Sequence, residues 1–143
     1  MLRFTRRSEY GILALAYLAG NDSGYVSAKT IVEGLCLPRR LLAEVLKELA
    51  QAGLIDGLRG PNGGYRLRVR PEDIHLAAIV GALEGQEPKL VACTNGQSCE
   101  LEAHCLVQDG MRQVHGRILD VLRGTTLASF LHAKDAAARP IEV

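Results

Sequence analysis

Residues 60–70 constrain this chain more than any other stretch. Gly60-Pro61-Asn62-Gly63-Gly64 is a turn, and after it Tyr65, Leu67 and Val69 alternate with Arg66, Arg68 and Arg70. A strict period of two builds a strand with two unlike faces and cannot be carried by a helix. Leu54 to Leu58 supplies the outgoing strand of a hairpin, and Tyr65 to Val69 the returning one. One face packs on apolar partners. The other presents three guanidinium groups in a row, with Arg59 beside the turn. Like charges at alternate positions repel unless an anion relieves them, and duplex phosphate would do so. The competing reading is a solvated face with ordinary surface arginines.

What precedes the hairpin gives it a context. A first helix is expected from about Thr5 to Ala19, broken by Asn21-Asp22-Ser23-Gly24. Ser27 suits the N-cap of a short second helix, Ala28 to Gly34. After Leu35-Cys36-Leu37, Pro38 suits the first turn of a third helix, with Leu41, Leu42, Val45, Leu46 and Leu49 at helical spacing and a stop at Gly53. Cys36, between two leucines, reads as a core residue. Two short helices joined by a tight turn, the second opening with Arg39 and Arg40, form a helix-turn-helix pattern, weak evidence by itself. A cationic hairpin directly after it makes a winged helix, with the third helix in the major groove and the wing on backbone or minor groove.

Charge supports that reading. The 143 residues carry a net charge of +1, but residues 1–70 hold 11 Lys/Arg against 6 Asp/Glu, and residues 71–143 hold 6 against 10. Only the first half has an electrostatic reason to sit on a polyanion. Aromatic residues are 4% of the chain, which weakens any stacking platform for single strands. No phosphate-cradling loop, nucleophile elbow or metalloprotease motif appears, so an enzyme is not expected.

The longest apolar run, Ile12 to Ala19, is far shorter than the ~20 residues that span a bilayer. Arg3, Arg6 and Arg7 before it admit a signal peptide. Against that, Glu9 interrupts the approach, and Tyr10, Ile12, Leu13, Ala16 and Tyr17 read as an amphipathic helix. The expectation is a cytoplasmic protein without membrane association, where four cysteines act as ligands or redox groups rather than as a disulfide framework.

Pro71-Glu72-Asp73 is expected to open a fourth helix, buried through Ile74, Ala77, Ala78, Ile79 and Leu83 and ended by Gly85 and Pro88. A last long helix, Cys105 to Leu122, carries Val107, Met111, Val114, Ile118 and Val121 at steps of four and three. That seam either zips against a second copy or covers its own domain, and dimerisation is favoured. Paired half-sites read by two-fold dimers fit the same picture. A short helix near Leu127 to His132 follows. The expected organisation is a mostly α fold with a small β-hairpin wing: a winged helix-turn-helix domain at 1–85, a cysteine-bearing loop at 86–104, a dimerisation helix and short terminal helix at 105–132, and a flexible tail at 133–143.

Cys93, Cys99 and Cys105 stand six residues apart. Six helical residues turn by about 600°, so one helix face cannot hold all three. A loop with Asn95, Gly96 and Ser98 can bring them together. Soft thiolates favour an Fe–S cluster, zinc or copper, and zinc usually shows a closer Cys pair. A disulfide with a spare thiol and three structural cysteines are the remaining readings. A cluster would be one ligand short, with His104, His115 or an oxygen donor as candidates.

The wing Arg59-Gly60-Pro61-Asn62-Gly63-Gly64-Tyr65-Arg66-Leu67, the opening helix, and Cys-x5-Cys-x5-Cys before a long helix together resemble the Rrf2 family of winged-helix regulators over residues 1 to about 132. The resemblance implies homodimers on palindromic promoter DNA, long crossed helices at the dimer, and a cysteine-bound iron–sulfur cluster that controls affinity. By position it makes Cys93, Cys99 and Cys105 the cluster ligands. The family's IscR-like members place a histidine where this chain has Gln108. NsrR-like members use an acidic residue in the first helix of the other subunit, which points to Glu9 of the partner subunit, with His104 second. It favours [4Fe-4S] over [2Fe-2S]. The implied function is repression governed by nitric oxide, redox state or iron supply, through Ser27, Lys29, Arg39, Arg40, Arg59, Gly60, Pro61, Asn62, Gly63, Tyr65, Arg66 and Arg68. The alternatives are a thiol-oxidation sensor without a cluster and an Fe–S carrier or electron-transfer protein.

Overall fold

The computed structural model describes residues 4–21, 24–85 and 99–137, of which 133–137 by backbone alone. Arg3, Asp22, Ser23, Cys93 and residues 138–143 lie outside the described residues, as does most of the expected cysteine loop. The described residues are mostly α-helical with one two-stranded antiparallel hairpin.

Helix α1 spans Arg6–Ala19, and the Thr5 side chain caps it by accepting from the Ser8 amide. The long apolar run sits in this helix, and its Ala14, Leu15 and Leu18 are core. Helix α2 is Ala28–Leu35 and α3 is Arg39–Gln51; the latter buries Leu42, Val45, Leu46 and Leu49. The turn between them does not bury Cys36. That residue is exposed and left-handed (φ 53°), so its leucine neighbours misled: the chain reverses there, and the side chain points outward.

Strands β1 (Ile55–Leu58) and β2 (Gly64–Leu67) pair with Asp56 opposite Arg66 and Gly57 opposite Tyr65. Along 65–70, Tyr65, Leu67 and Val69 are half-buried while Arg66, Arg68 and Arg70 are exposed, the alternation expected. A third backbone segment joins this sheet. Val26 exchanges both backbone hydrogen bonds with Tyr65 at 2.8 Å each, which docks the wing on the residue before the α2 cap.

Pro71 does not open a helix continuous with α4. Pro71–Asp73 is a separate 3-10 turn, and α4 runs from Leu76 to Glu84. The residues between are claimed by another part of the chain: Leu76 N donates to Thr125 O, and Leu127 N to Ile74 O, each at 2.8 Å. The α4 core is therefore Leu76, Ile79, Val80 and Leu83, with Ala78 exposed.

Helix α5 is Gln108–Gly124, starting three residues beyond Cys105 because Glu102–His104 forms a 3-10 turn and Cys105 is extended. Helix α6 is Leu127–Ala137 and reaches past His132. Leu119 and Leu122 of α5 and Leu127 and Ala128 of α6 bury against the domain. No helix among the described residues is long and apolar enough to cross a membrane.

Candidate nucleic-acid interface and cysteine segment

The wing is built around two glycines. A Cβ at Gly64 would lie 2.2 Å from Val26 O, and one at Gly63 would lie 2.1 Å from Leu58 O. Backbone occupies both places, so the turn closes only without side chains there. The tip bearing Arg59, Gly60, Pro61 and Asn62 is exposed.

Behind the tip, Arg66 and Arg68 are not a bare row of cations. Asp56 on β1 faces both, at 3.8 Å from Arg66 Nε and 3.9 Å from Arg68 Nε, and the Arg66 guanidinium also lies 4.6 Å from the centroid of the Tyr25 ring. Arg70 pairs with Asp73 at 3.0 Å. The hairpin thus carries its own anion, and repulsion among its arginines does not by itself require a bound polyanion. Arg59 has no carboxylate within salt-bridge distance among the described residues.

Helix α2 begins at Ser27, whose Oγ accepts from the Thr30 amide at 3.1 Å, and Lys29 pairs loosely with Glu33 at 3.8 Å. On α3, Arg39 is exposed, and Arg40, 96% exposed, lies 3.7 Å from Glu44. An open cleft of about 550 Å³ runs between the α2 start, the later turns of α3 and the wing, lined by Ser27, Lys47, Gln51, Arg59 and Tyr65 among others. Lys47 and Gln51 were missed in the sequence. Steps of four from Arg39 through Ala43 lead to both, and they mark the outward face of α3. Ser27, Arg39, Arg40, Lys47, Arg59, Arg66 and Arg68 therefore belong to neighbouring elements, and two of them border the cleft together with Ser27.

A second cluster surrounds the first turn of α1. Arg7 hydrogen-bonds Glu48 through one terminal nitrogen and lies 3.7 Å from Glu44 through the other. The Glu48 hydrogen bond, with the charges of Glu48, Glu44 and Glu84, holds the guanidinium pKa above its ordinary value against the opposing effect of burial. Fully buried Ser8 donates to Glu84 Oε1 at 2.6 Å, and Thr5 hydrogen-bonds the same oxygen. Nothing local in the sequence signals these contacts, which join residues 41 and 76 positions apart. Glu9, next along, is exposed and pairs with Arg6 at 3.2 Å.

Cys99 and Cys105 are half-buried free thiols on either side of the 3-10 turn, which is held by Glu102 N to Cys99 O at 3.0 Å and Cys105 N to Glu102 O at 3.5 Å. His104 between them is exposed. Among the described residues no three Cys, His, Asp or Glu side chains gather around one point; Cys93, the third thiol, lies outside them. The donor set still suits a thiophilic centre. Two soft, uncombined sulfurs lie just before the start of α5, while His115 Nδ1, buried without a hydrogen-bond partner, sits in the middle of that helix.

The α5 seam divides. Val107, Val114 and Val121 are 63%, 47% and 64% exposed, in line along one face, while Met111 and Ile118 are half-buried. Leu106 and Leu101 continue the exposed apolar surface toward the cysteines.

The Rrf2 family model, described as an iron-dependent transcriptional regulator, matches residues 4–133. The HTH-type transcriptional regulator NsrR of Bacillus licheniformis is 29% identical over 137 residues, covering 94% of this chain and 95% of the relative. Among solved structures, CymR, the global cysteine regulator of B. subtilis, superposes with a TM-score of 0.75 at 26% identity, covering 91% of this chain and 96% of that one. IscR of T. potens superposes with a TM-score of 0.74 at 28% identity, covering 96% and 92%.

Proposed function

Because this chain belongs to the Rrf2 family of transcriptional regulators, we propose that it works as a homodimeric repressor of palindromic promoter DNA whose affinity is set by an iron–sulfur cluster. The observation that carries the reading is the pair of free, half-buried thiols, Cys99 and Cys105, on the same domain as a basic helix and wing. NsrR and IscR relatives support it, as does the family description.

Arg39, Arg40 and Lys47 would meet base edges and backbone from α3. Ser27 and Lys29 would meet phosphate at the start of α2. On the wing, Arg59, Arg66 and Arg68 would contact backbone or minor groove, with Gly60, Pro61, Asn62, Gly63 and Tyr65 shaping the approach. Val107, Val114 and Val121, flanked by Met111 and Ile118, would form the dimer seam. Removing exposed valines from water is the driving force, and the buried face of α5 keeps the helix fixed to its domain.

Cys93, Cys99 and Cys105 would hold the cluster, with Glu9 of the partner subunit or His104 as fourth donor. The Arg6–Glu9 pair is exposed and weak, so it can be given up. When bound, a [4Fe-4S] cluster, favoured over [2Fe-2S], supplies a centre sensitive to nitric oxide, redox state and iron supply. A tenfold change in operator affinity needs only ~1.4 kcal/mol of difference between two dimer geometries.

One observation favours a second reading. Two uncombined thiols across a short turn, on a chain similar to a global cysteine regulator, suit thiol oxidation without a cluster. The test is anaerobic purification with absorption spectroscopy, iron and sulfide analysis and native mass spectrometry, alongside duplex binding. Coloured protein that Cys99→Ala bleaches supports the cluster. Colourless protein that loses two protons on oxidation establishes the thiol reading instead. DNA binding should weaken by about 10³ or more between 50 and 200 mM salt if six or more phosphates are neutralised; no retained duplex at low salt would favour a carrier.

A further inference from the structure

We propose that the first turn of α1 is a joint that passes the state of the cysteine segment to the recognition helix, with Arg7 and Ser8 as positioning residues; this rests on the cluster-controlled reading for what sets that state. Two consecutive residues of one turn grip two different helices. Ser8, fully buried, hydrogen-bonds Glu84, and Thr5 binds the same carboxylate oxygen. Glu84 is the last residue of α4, and Gly85, its cap, leads directly into the cysteine segment. Arg7, turned away by about 100° on the same helix, spans Glu44 and Glu48, one turn apart on α3.

The line does not stop at α3. Glu44 is divided: one oxygen lies 3.7 Å from Arg7, and the other 3.7 Å from Arg40, which is exposed at the start of the recognition helix. If α4 shifts at its C-terminus, Ser8 carries the turn with it and Arg7 moves relative to Glu44. Glu44 then falls to Arg40 and draws that guanidinium away from DNA, or returns to Arg7 and frees it. Glu48 makes the joint stiff. Its Oε2 is buried without a hydrogen-bond partner although the side chain is partly exposed, so parting from Arg7 would leave that oxygen without a compensating charge. Glu9, the candidate donor to the other subunit's centre, lies one residue beyond Ser8, so both ends of the proposed control act on this turn.

The experiment uses the full chain in cluster-loaded and cluster-free forms, with a fluorescent duplex selected by the wild-type protein from a randomised pool. The quantity read is the ratio of the two dissociation constants, with iron content and Tm measured beside it. Arg7→Gln and Ser8→Ala should each compress the ratio by about fivefold, a typical size for coupling between sites, at unchanged iron content. Arg7→Lys, which keeps the charge but not the fork, should restore part of it. A purely structural role would lower Tm and weaken both forms alike, leaving the ratio unchanged, and that result in Arg7→Gln and Ser8→Ala overturns the joint. A wild-type ratio of one would overturn the cluster-controlled reading, and the joint with it.

Discussion

Asp56 stands directly across the hairpin from Arg66 and shares its carboxylate between that residue, at 3.8 Å, and Arg68, at 3.9 Å. One anion serving two cations leaves the wing with a surplus of positive charge while holding both guanidinium groups on the same face. All three side chains are partly exposed, so each pair contributes about 0–1 kcal/mol and can be exchanged for phosphate.

Asp56→Asn should therefore raise affinity for nonspecific duplex by about three- to tenfold at low salt and steepen its salt dependence. Tm should move by less than about 2 °C, because the lost pairs are surface pairs. Fluorescence anisotropy across a salt series checks this. Weaker binding by the variant would mean that Asp56 aims the arginines rather than competing with DNA for them.

Gly64→Ala tests how the wing is anchored. The new Cβ would meet Val26 O at 2.2 Å, and Val26 C and Ser27 N are almost as near. Backbone cannot rotate aside as a side chain can, so Val26 must part from Tyr65. The expected loss is about 2 kcal/mol or more, near 6 °C in Tm, with weakened DNA binding. A variant as stable as wild type in thermal melts would show the Val26 pairing to be dispensable.

Cys36 gives a prediction of opposite sign. Its φ of 53° is strained for a residue with a Cβ, and the side chain is exposed. Cys36→Gly removes that strain but gives the unfolded chain more freedom, for a net gain of about 0.5 kcal/mol. Iron content should not change, because this thiol caps α2 in the helix-turn-helix and is not one of the proposed ligands Cys93, Cys99 and Cys105. Loss of iron in the variant would place Cys36 among the ligands.

The parts of the molecule that could be read from sequence are those governed by local pattern. Alternation from Tyr65 to Arg70 gave the wing its two faces, and Ser27 and the leucines of α3 set the helix-turn-helix. Contacts across long stretches left no such trace. The Val26–Tyr65 pairing involves a single residue and has no period to detect. Pro71 and its acidic neighbours resemble a helix start, yet Ile74 and His75 are extended and bridge to the segment Thr125 to Leu127, with His75 opposite Thr126, far along the chain. Arg7 reads as one of several basic residues near the N-terminus until folding sets it against Glu44 and Glu48. Cys36 shows the converse error: apolar neighbours suggested burial, but a chain reversal decided the matter.

The division of α5 makes the dimer testable separately from the fold. Leu119 and Leu122 face the domain, whereas Val107, Val114 and Val121 face outward, seven residues apart. Leu122→Ala should cost about 2–4 kcal/mol in thermal or urea unfolding, the usual range for a buried leucine. Val114→Glu puts a charge in the middle of the outward face. In a monomer it would be solvated and nearly neutral for stability, but in a two-fold seam it would meet its own copy. Sedimentation should then show Val114→Glu as a folded monomer with wild-type helical content and sharply reduced duplex affinity, because the second half-site is lost with the second subunit. A variant that stays dimeric would place the subunit contact elsewhere and leave the valine stripe without a partner.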